Sequence, residues 1–429
     1  MSSRVAGILS AALVVAALEA SLGAQAPIQL PSPISRVSMP DAVRLTLDRN
    51  QALRAQRLTI DEAKADEITA ALKPNVNVNF GAEGFPLFSP DQITPNFLGN
   101  EISYSAGLGY TFERGGKRKK RMAVAEDTTE ATRRSVADQE RQLRFQAEQA
   151  FITALLAKST LDLSRENLAS FSKIVEVNRQ RVQSGDLANA DFYKISLQKL
   201  QFEQDVSAAE VGLVQAKANL RQLMGFETVP DDFELVGDLG FDKTSVALDD
   251  LKQQALINRP DVLAAQQGVK VAEDSVELEK GNRARDITTG VDYTKTGPAN
   301  LFGVAASFDL PFRDRNQGNI AKAEVAVQQA HETETATRFT ALTDVVNAYA
   351  AYDSSQKVIG LYQSGYLDQA KKSLDISTYV YQHGAGTILD LLDAEQTYRD
   401  TQLAYRQALA TYMTSVRQIN FAVGKQVIP

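Results

Sequence analysis

The chain has no cysteine and no tryptophan, and only two histidines and five methionines in 429 residues. Without cysteine there is no disulfide framework, no thiolate metal site, no thiol nucleophile and no attachment point for a bacterial lipid anchor. The histidines, His331 and His383, are isolated in the sequence, and a lone imidazole is a poor metal ligand set. The methionines are scattered, so no soft-metal relay is visible. Basic charge is short as well: 46 Lys and Arg against 53 Asp and Glu leave a net charge of −7, which argues against a nucleic-acid partner. Long apolar runs are missing beyond the N-terminus, and a spanning helix needs about 20 apolar residues.

The one apolar run, Val5 to Leu18, follows Arg4 and precedes small residues. That order predicts a secretory signal peptide over 1–26, cut after 23 or after 26. An exported chain of this kind can cross a membrane only with strands. Three prolines mark 27–39 as a linker.

What is present is a plan used twice. A helical pattern from Pro40 to Leu72 is echoed after Leu248. Arg49, Leu53, Ala55, Gln56 and Glu67 recur as Arg259, Leu263, Ala265, Gln266 and Glu277, each 210 residues later. Each helix gives way to strict alternation. In "EISYSAGLGYTF", Tyr104, Ala106, Leu108 and Tyr110 face one way and Ser103, Ser105, Gly107 and Gly109 the other. "LFGVAASFDLPF" repeats this, with Phe302, Val304, Ala306, Phe308, Leu310 and Phe312 on one side. Alternation over about ten residues predicts tilted strands long enough to cross a bilayer.

A very long helical pattern follows each strand pair. Ala147, Ala154, Leu161, Leu168, Val175 and Val182 mark a seven-residue spacing in the first, and Leu391, Tyr398, Tyr405, Tyr412 and Ile419 mark one in the second. That spacing predicts long, nearly parallel helix packing. The turns "SGD" and "GAG" interrupt the two patterns, with Gly185 and Gly384 standing 199 apart (384 − 185). The predicted layout is therefore a first repeat over 40–225, with β-hairpin 74–112 and helical hairpin 117–225. A connector follows at 226–247, then a second repeat over 248–424 with hairpins 284–312 and 316–424, and a tail at 425–429. The fold class is mainly α with a membrane β-barrel portion. Four strands cannot close a barrel, and open edges are intolerable in lipid, so several chains must combine.

At this point the sequence resembles the outer-membrane efflux proteins related to TolC, over residues 40 to 424. The signals are the duplicated plan, "FERGGKRKKR" at Phe112–Arg121, "FRDRNQGNIAKAE" at Phe312–Glu324 and "GTILDLLDAEQT" at Gly386–Thr397. The Gly-Gly-basic form of the first is most similar to the heavy-metal (cobalt–zinc–cadmium) branch. The resemblance implies a homotrimer in the outer membrane of a Gram-negative bacterium. Its parts would be a twelve-strand barrel in contact with outer-membrane lipid and a periplasmic α-barrel of long coiled-coil helices. It also implies a passive exit duct, not an enzyme and without cofactor. Its partners would be a periplasmic adaptor and an inner-membrane pump of the resistance-nodulation-division type.

Residue by residue, the resemblance assigns Asp390 and Asp393 to a periplasmic constriction and Asp191 and Tyr381 to ties that hold the gate. It assigns the turns Ser184, Gly185, Asp186 and Gly384, Ala385, Gly386 to adaptor docking. One gate residue departs from the pattern: Gly386 stands where an arginine is expected. The basic run "GGKRKKR" is expected to be a solvated helix start at the barrel edge, near lipid headgroups. Gly107-x-Gly109 lies inside a strand and is no dinucleotide fingerprint. The rival readings are drug efflux or type I protein secretion through the same duct, and an exported coiled-coil scaffold.

Overall fold

The computed structural model describes residues 35–429 apart from 86–87, 89–92 and 228. The expected signal peptide, the proline-rich part of the linker and part of the loop before the second strand lie outside the described residues.

A short strand, β1 (Arg36–Val37), leads into α1 (Met39–Arg49). Ser38 starts that helix: its hydroxyl donates to Asp41 Oδ2 at 2.6 Å and accepts the Asp41 amide, while Pro40 occupies the first turn. The Asn50 side chain then caps α2 (Gln51–Ala71) by accepting the Leu53 amide at 3.1 Å. Next come β2 (Asn77–Glu83), a short helix α3 (Pro95–Asn100) and β3 (Ser103–Phe112).

Gly116, with φ of 68°, opens α4 (Lys117–Gln183). No proline falls between Lys117 and Val229, so nothing breaks the 67-residue helix, about 100 Å long at 1.5 Å per residue. It returns as α5 (Asn189–Met224), and a connector carrying β4 (Glu234–Leu235) pairs in parallel with β1.

The second copy runs α6 (Leu248–Asn258), α7 (Pro260–Asn282), β5 (Ile287–Thr296), β6 (Ala299–Ser307), α8 (Gln317–Leu361), α9 (Leu367–Gln382) and α10 (Ile388–Val423). It lacks a helix between its strands, and its long helix is interrupted. Between α8 and α9, Tyr362–Tyr366 forms a π-helical turn in which Gly365 has φ of 120°. The expected unbroken helix is interrupted there, at a residue that tolerates what other residues do not. The last strand also ends earlier than expected. Phe308, Leu310 and Phe312 lie beyond β6, exposed, where little of β5 remains to pair with.

The four long strands form one antiparallel sheet in the order β2-β3-β5-β6, so the two hairpins meet through β3 and β5. In register, Val78, Leu108, Val291 and Val304 line up across one face, and Asn79, Gly107, Asp292 and Gly303 across the other. The apolar face is exposed along much of its length, from Phe80 and Leu108 to Phe302 and Val304.

The helical core is a string of small clusters rather than one centre. Near the open ends of the helical hairpins, Phe151, Leu155, Leu220 and Met224 pack with Phe233 and Leu235 of the connector. In the second copy Tyr352, Tyr412, Val416 and Ile419 pack together, with Leu239 and Phe241 against them. The connector is fastened by hydrogen bonds as well. The Tyr352 hydroxyl donates to the Thr244 carbonyl at 2.6 Å, and that of Tyr412 donates to the Asp242 carbonyl. The returning helices are capped by equivalent places in the two copies: Asn50 Nδ2 donates to the Leu223 carbonyl, and the buried Arg259 donates to the Ala422 carbonyl.

Candidate functional site

The sequence points to the two helical turns far from the sheet, and they are built alike. At the first, the Gly185 amide donates to the Val182 carbonyl at 3.1 Å and the Asp186 amide to Arg181 at 2.8 Å. At the second, the Gly384 amide donates to Tyr381 at 3.1 Å and the Ala385 amide to Val380 at 3.0 Å. Both are Schellman caps, which need a left-handed residue, and φ is 86° at Gly185 and 74° at Gly384. Ser184 donates from its hydroxyl to Asp186 Oδ2 at 2.7 Å and stiffens the first turn. Gly386 has another reason to be glycine. A Cβ there would stand 3.0 Å from Val380 Cγ1, so the arginine absent from this position has little room.

Thr387 starts α10 with a reciprocal cap. Its hydroxyl donates to Asp390 Oδ2 at 2.7 Å and its amide donates to the same oxygen at 3.2 Å, while the Asp390 amide returns to Thr387 Oγ1. The Thr387 hydroxyl, and then its amide, hold the Asp390 carboxyl below the usual carboxylate range. Asp393 lies one turn on, and both carboxylates are exposed. Asp390 is thus fixed and ionised.

Tyr381 lies in the turn-proximal core with Phe171, Val175, Ile195, Ile388 and Leu391. Its hydroxyl donates to Asn178 Oδ1 at 2.7 Å, so α9 is tied to α4 of the same chain. Burial pushes the Tyr381 phenol up, Arg181 opposes that shift, and Asp191 adds to it. Arg181 sits over the Tyr381 ring, 5.3 Å from its centroid. Asp191 forms its ion pair with Lys194 of its own helix at 3.0 Å. The structure therefore brings Tyr381 and Asn178 into contact, and pairs Asp191 elsewhere.

Sequence reasoning passed over Asn178. Its signal was available: Phe171 and Asn178 are seven apart, both on the buried line of α4, and a lone polar residue on such a line fixes helix register. His383 contacts Tyr379, with Nδ1 2.8 Å from its carbonyl, and His331 lies 4.0 Å from Glu334. No cluster of three or more metal-ligating side chains occurs among the described residues.

The profile of the family described as "Outer membrane efflux protein" matches residues 42–226 and 251–425, one match per copy. The cobalt-zinc-cadmium resistance protein CzcC of Cupriavidus metallidurans is 24% identical over 323 residues, 75% of this chain and 77% of that protein. The cation efflux system protein CusC of Escherichia coli K12 is 25% identical over 395 residues, 87% of this chain and 82% of that protein. A solved structure of CusC shares the fold with a TM-score of 0.77 at 19% identity, covering 90% of this chain and 92% of that one. The chain belongs to the outer membrane efflux protein family and is an efflux channel of the Gram-negative outer membrane with a long periplasmic helical extension.

Proposed function

We propose that the chain is the passive exit duct of a tripartite exporter of divalent heavy-metal cations. The observation that carries this is the exposed acidic face at the second turn, where the Thr387 cap holds Asp390 one turn from Asp393. In a trimer three such pairs form a constriction that attracts multivalent cations. The names of CzcC, a cobalt-zinc-cadmium resistance protein, and CusC, a cation efflux system protein, support the same cargo.

Assembly as a homotrimer is supported by two surfaces. The sheet ends in two open strands, β2 and β6, and lipid tolerates no open edge. On α5, exposed Tyr193, Leu197, Leu200, Val211 and Val214 follow the seven-residue spacing of a helix face that awaits another helix. Three chains give twelve strands, with the apolar faces on outer-membrane lipid.

In this proposal the turns Ser184–Gly185–Asp186 and Gly384–Ala385–Gly386 dock a periplasmic adaptor. An inner-membrane pump of the resistance-nodulation-division type supplies the energy. Tyr381 is a gate tie acting through Asn178, with Arg181 over its ring. Asp191 is a second tie, reaching a neighbouring hairpin. Drug efflux or protein secretion would use the same duct with another pump.

The test is single-channel recording. Multivalent cations added from the tip side should block the current, and Asp390→Ala with Asp393→Ala should abolish the block. Block that persists in the double variant removes the constriction from this site.

A further inference from the structure

The sheet carries a charge that the tip does not explain. Its polar face consists almost wholly of Asn, Ser, Thr, Gly and Ala. Among the described residues of the four strands, only Glu83 and Asp292 on that face are charged, and neither lysine nor arginine joins them. Glu83 lies at a strand end, opposite Ser103. Asp292 lies in the middle of β5, opposite Gly107 on one side and Gly303 on the other, four residues or about 13 Å along the strands from the Glu83 row.

Gly303 leaves the space that the Asp292 carboxylate occupies. A Cβ at position 303 would stand 2.6 Å from Asp292 Oδ1 and 2.8 Å from Oδ2, closer than side-chain atoms approach. Gly303 has no positive φ, so its backbone does not call for glycine. A glycine inside a strand weakens it and marks a close approach, here by the carboxylate of the next strand. Gly107 does the same for Asn79, whose Oδ1 would lie 2.7 Å from its Cβ. The carboxylate has no ion-pair partner among the described residues. An unpaired carboxylate at membrane depth is tolerated where it faces a water-filled cavity.

We infer that Asp292 sets a second charge filter, placing one carboxylate per chain midway along the membrane-spanning lumen and favouring cations there over anions. This rests on the reading of the polar face as the lumen of a closed barrel, and it does not depend on which cation the exporter carries. The filter is distinct from the tip pair: it acts after the cargo has entered the duct, and it stays open to the outside when the tip is closed.

The absence of native cysteine makes the test direct. Thr294→Cys places a thiol two residues from Asp292 on the same face of β5, in the native background and with Asp292→Asn or Asp292→Glu. The reconstituted full-length protein is treated with a cationic and an anionic methanethiosulfonate of similar size. A charge about 7 Å away in water changes each rate by about threefold in opposite directions at low salt. The cationic reagent should therefore react faster with the native and Asp292→Glu backgrounds. Asp292→Asn, or high salt, should remove most of that preference. A rate ratio unchanged by Asp292→Asn overturns the filter. Val304→Cys, on the apolar face, separates the two readings: reaction at 304 with protection at 294 overturns the barrel orientation itself.

Discussion

The contact between Tyr381 and Asn178 and the pair Asp127–Asp274 show what single residues contribute away from the lumen. In the second case two carboxyls from α4 and α7 meet beneath the sheet. The hydrogen bond to Asp127, then burial, pushes the Asp274 carboxyl up to about 6. Asp127 accepts from Lys270 Nζ at 2.7 Å and from Gln267 Nε2 at 2.9 Å. The sign follows from proton binding. Between the unfolded value of 3.8 and about 6 the folded state holds the proton more tightly, so this group favours folding below pH 4 and loses that contribution as pH rises through 6. Asp274→Asn keeps a donor for Asp127 and removes the charge. The variant should melt higher than the native protein at pH 7.5, by about 1 °C for each kcal/mol gained in a chain of 429 residues, and the difference should shrink towards pH 4.5. A difference of the same size at both values would contradict the shared proton. Neither pair was legible in the sequence, because each joins residues more than 140 positions apart through helix register. The acidic face of Asp390 and Asp393 was legible, because spacing on one helix fixes it.

At the scale of elements, the sequence was clearest where a local rule acts alone. Strict alternation marked β3 and β6, and the absence of proline allowed α4 to run unbroken. Glycines at 185 and 384 marked both turns. It was less clear where neighbours decide. The pairing of β3 with β5, which joins the two copies, has no local signature. The π-helical turn at Tyr362–Tyr366 breaks one copy only, although Gly365 marked a place where a break was inexpensive. The alternation runs on to Phe312, but β6 ends at Ser307, which pairs with Thr288 at the start of β5 and has little partner strand beyond it. Glycines at helix ends also differ in what they would cost to replace. At Gly384 nothing lies within 4 Å of a new Cβ, so alanine meets only the left-handed backbone, about 1–2 kcal/mol. At Gly424, with φ of 77°, the Cβ would stand 2.9 Å from Arg259 Cα and 3.0 Å from the Asn258 carbonyl, which are backbone atoms. Gly424→Ala should lower the melting temperature in detergent at least twice as much as Gly384→Ala. Equal losses would show that the contact between α10 and the α6–α7 junction is not tight.

For the whole molecule, the duplicated plan makes a long object from short-range packing. Clusters of aromatic and aliphatic residues recur along the helices, and each copy sends its strands to one end and its turn to the other. That division puts the apolar sheet surface and the acidic turn at opposite ends of helices about 100 Å long. The proposed chemistry is confined to charge along a passage: Asp390 and Asp393 at entry, and Asp292 further on. The proposal for cargo is tested most directly by deleting the gene and growing the strain on graded zinc, cobalt, cadmium, nickel and copper beside a panel of lipophilic drugs, with the native gene restored as control. The account predicts sensitivity confined to the divalent metals and reversed by the restored gene. Sensitivity to the drugs, with metal tolerance unchanged, would contradict it.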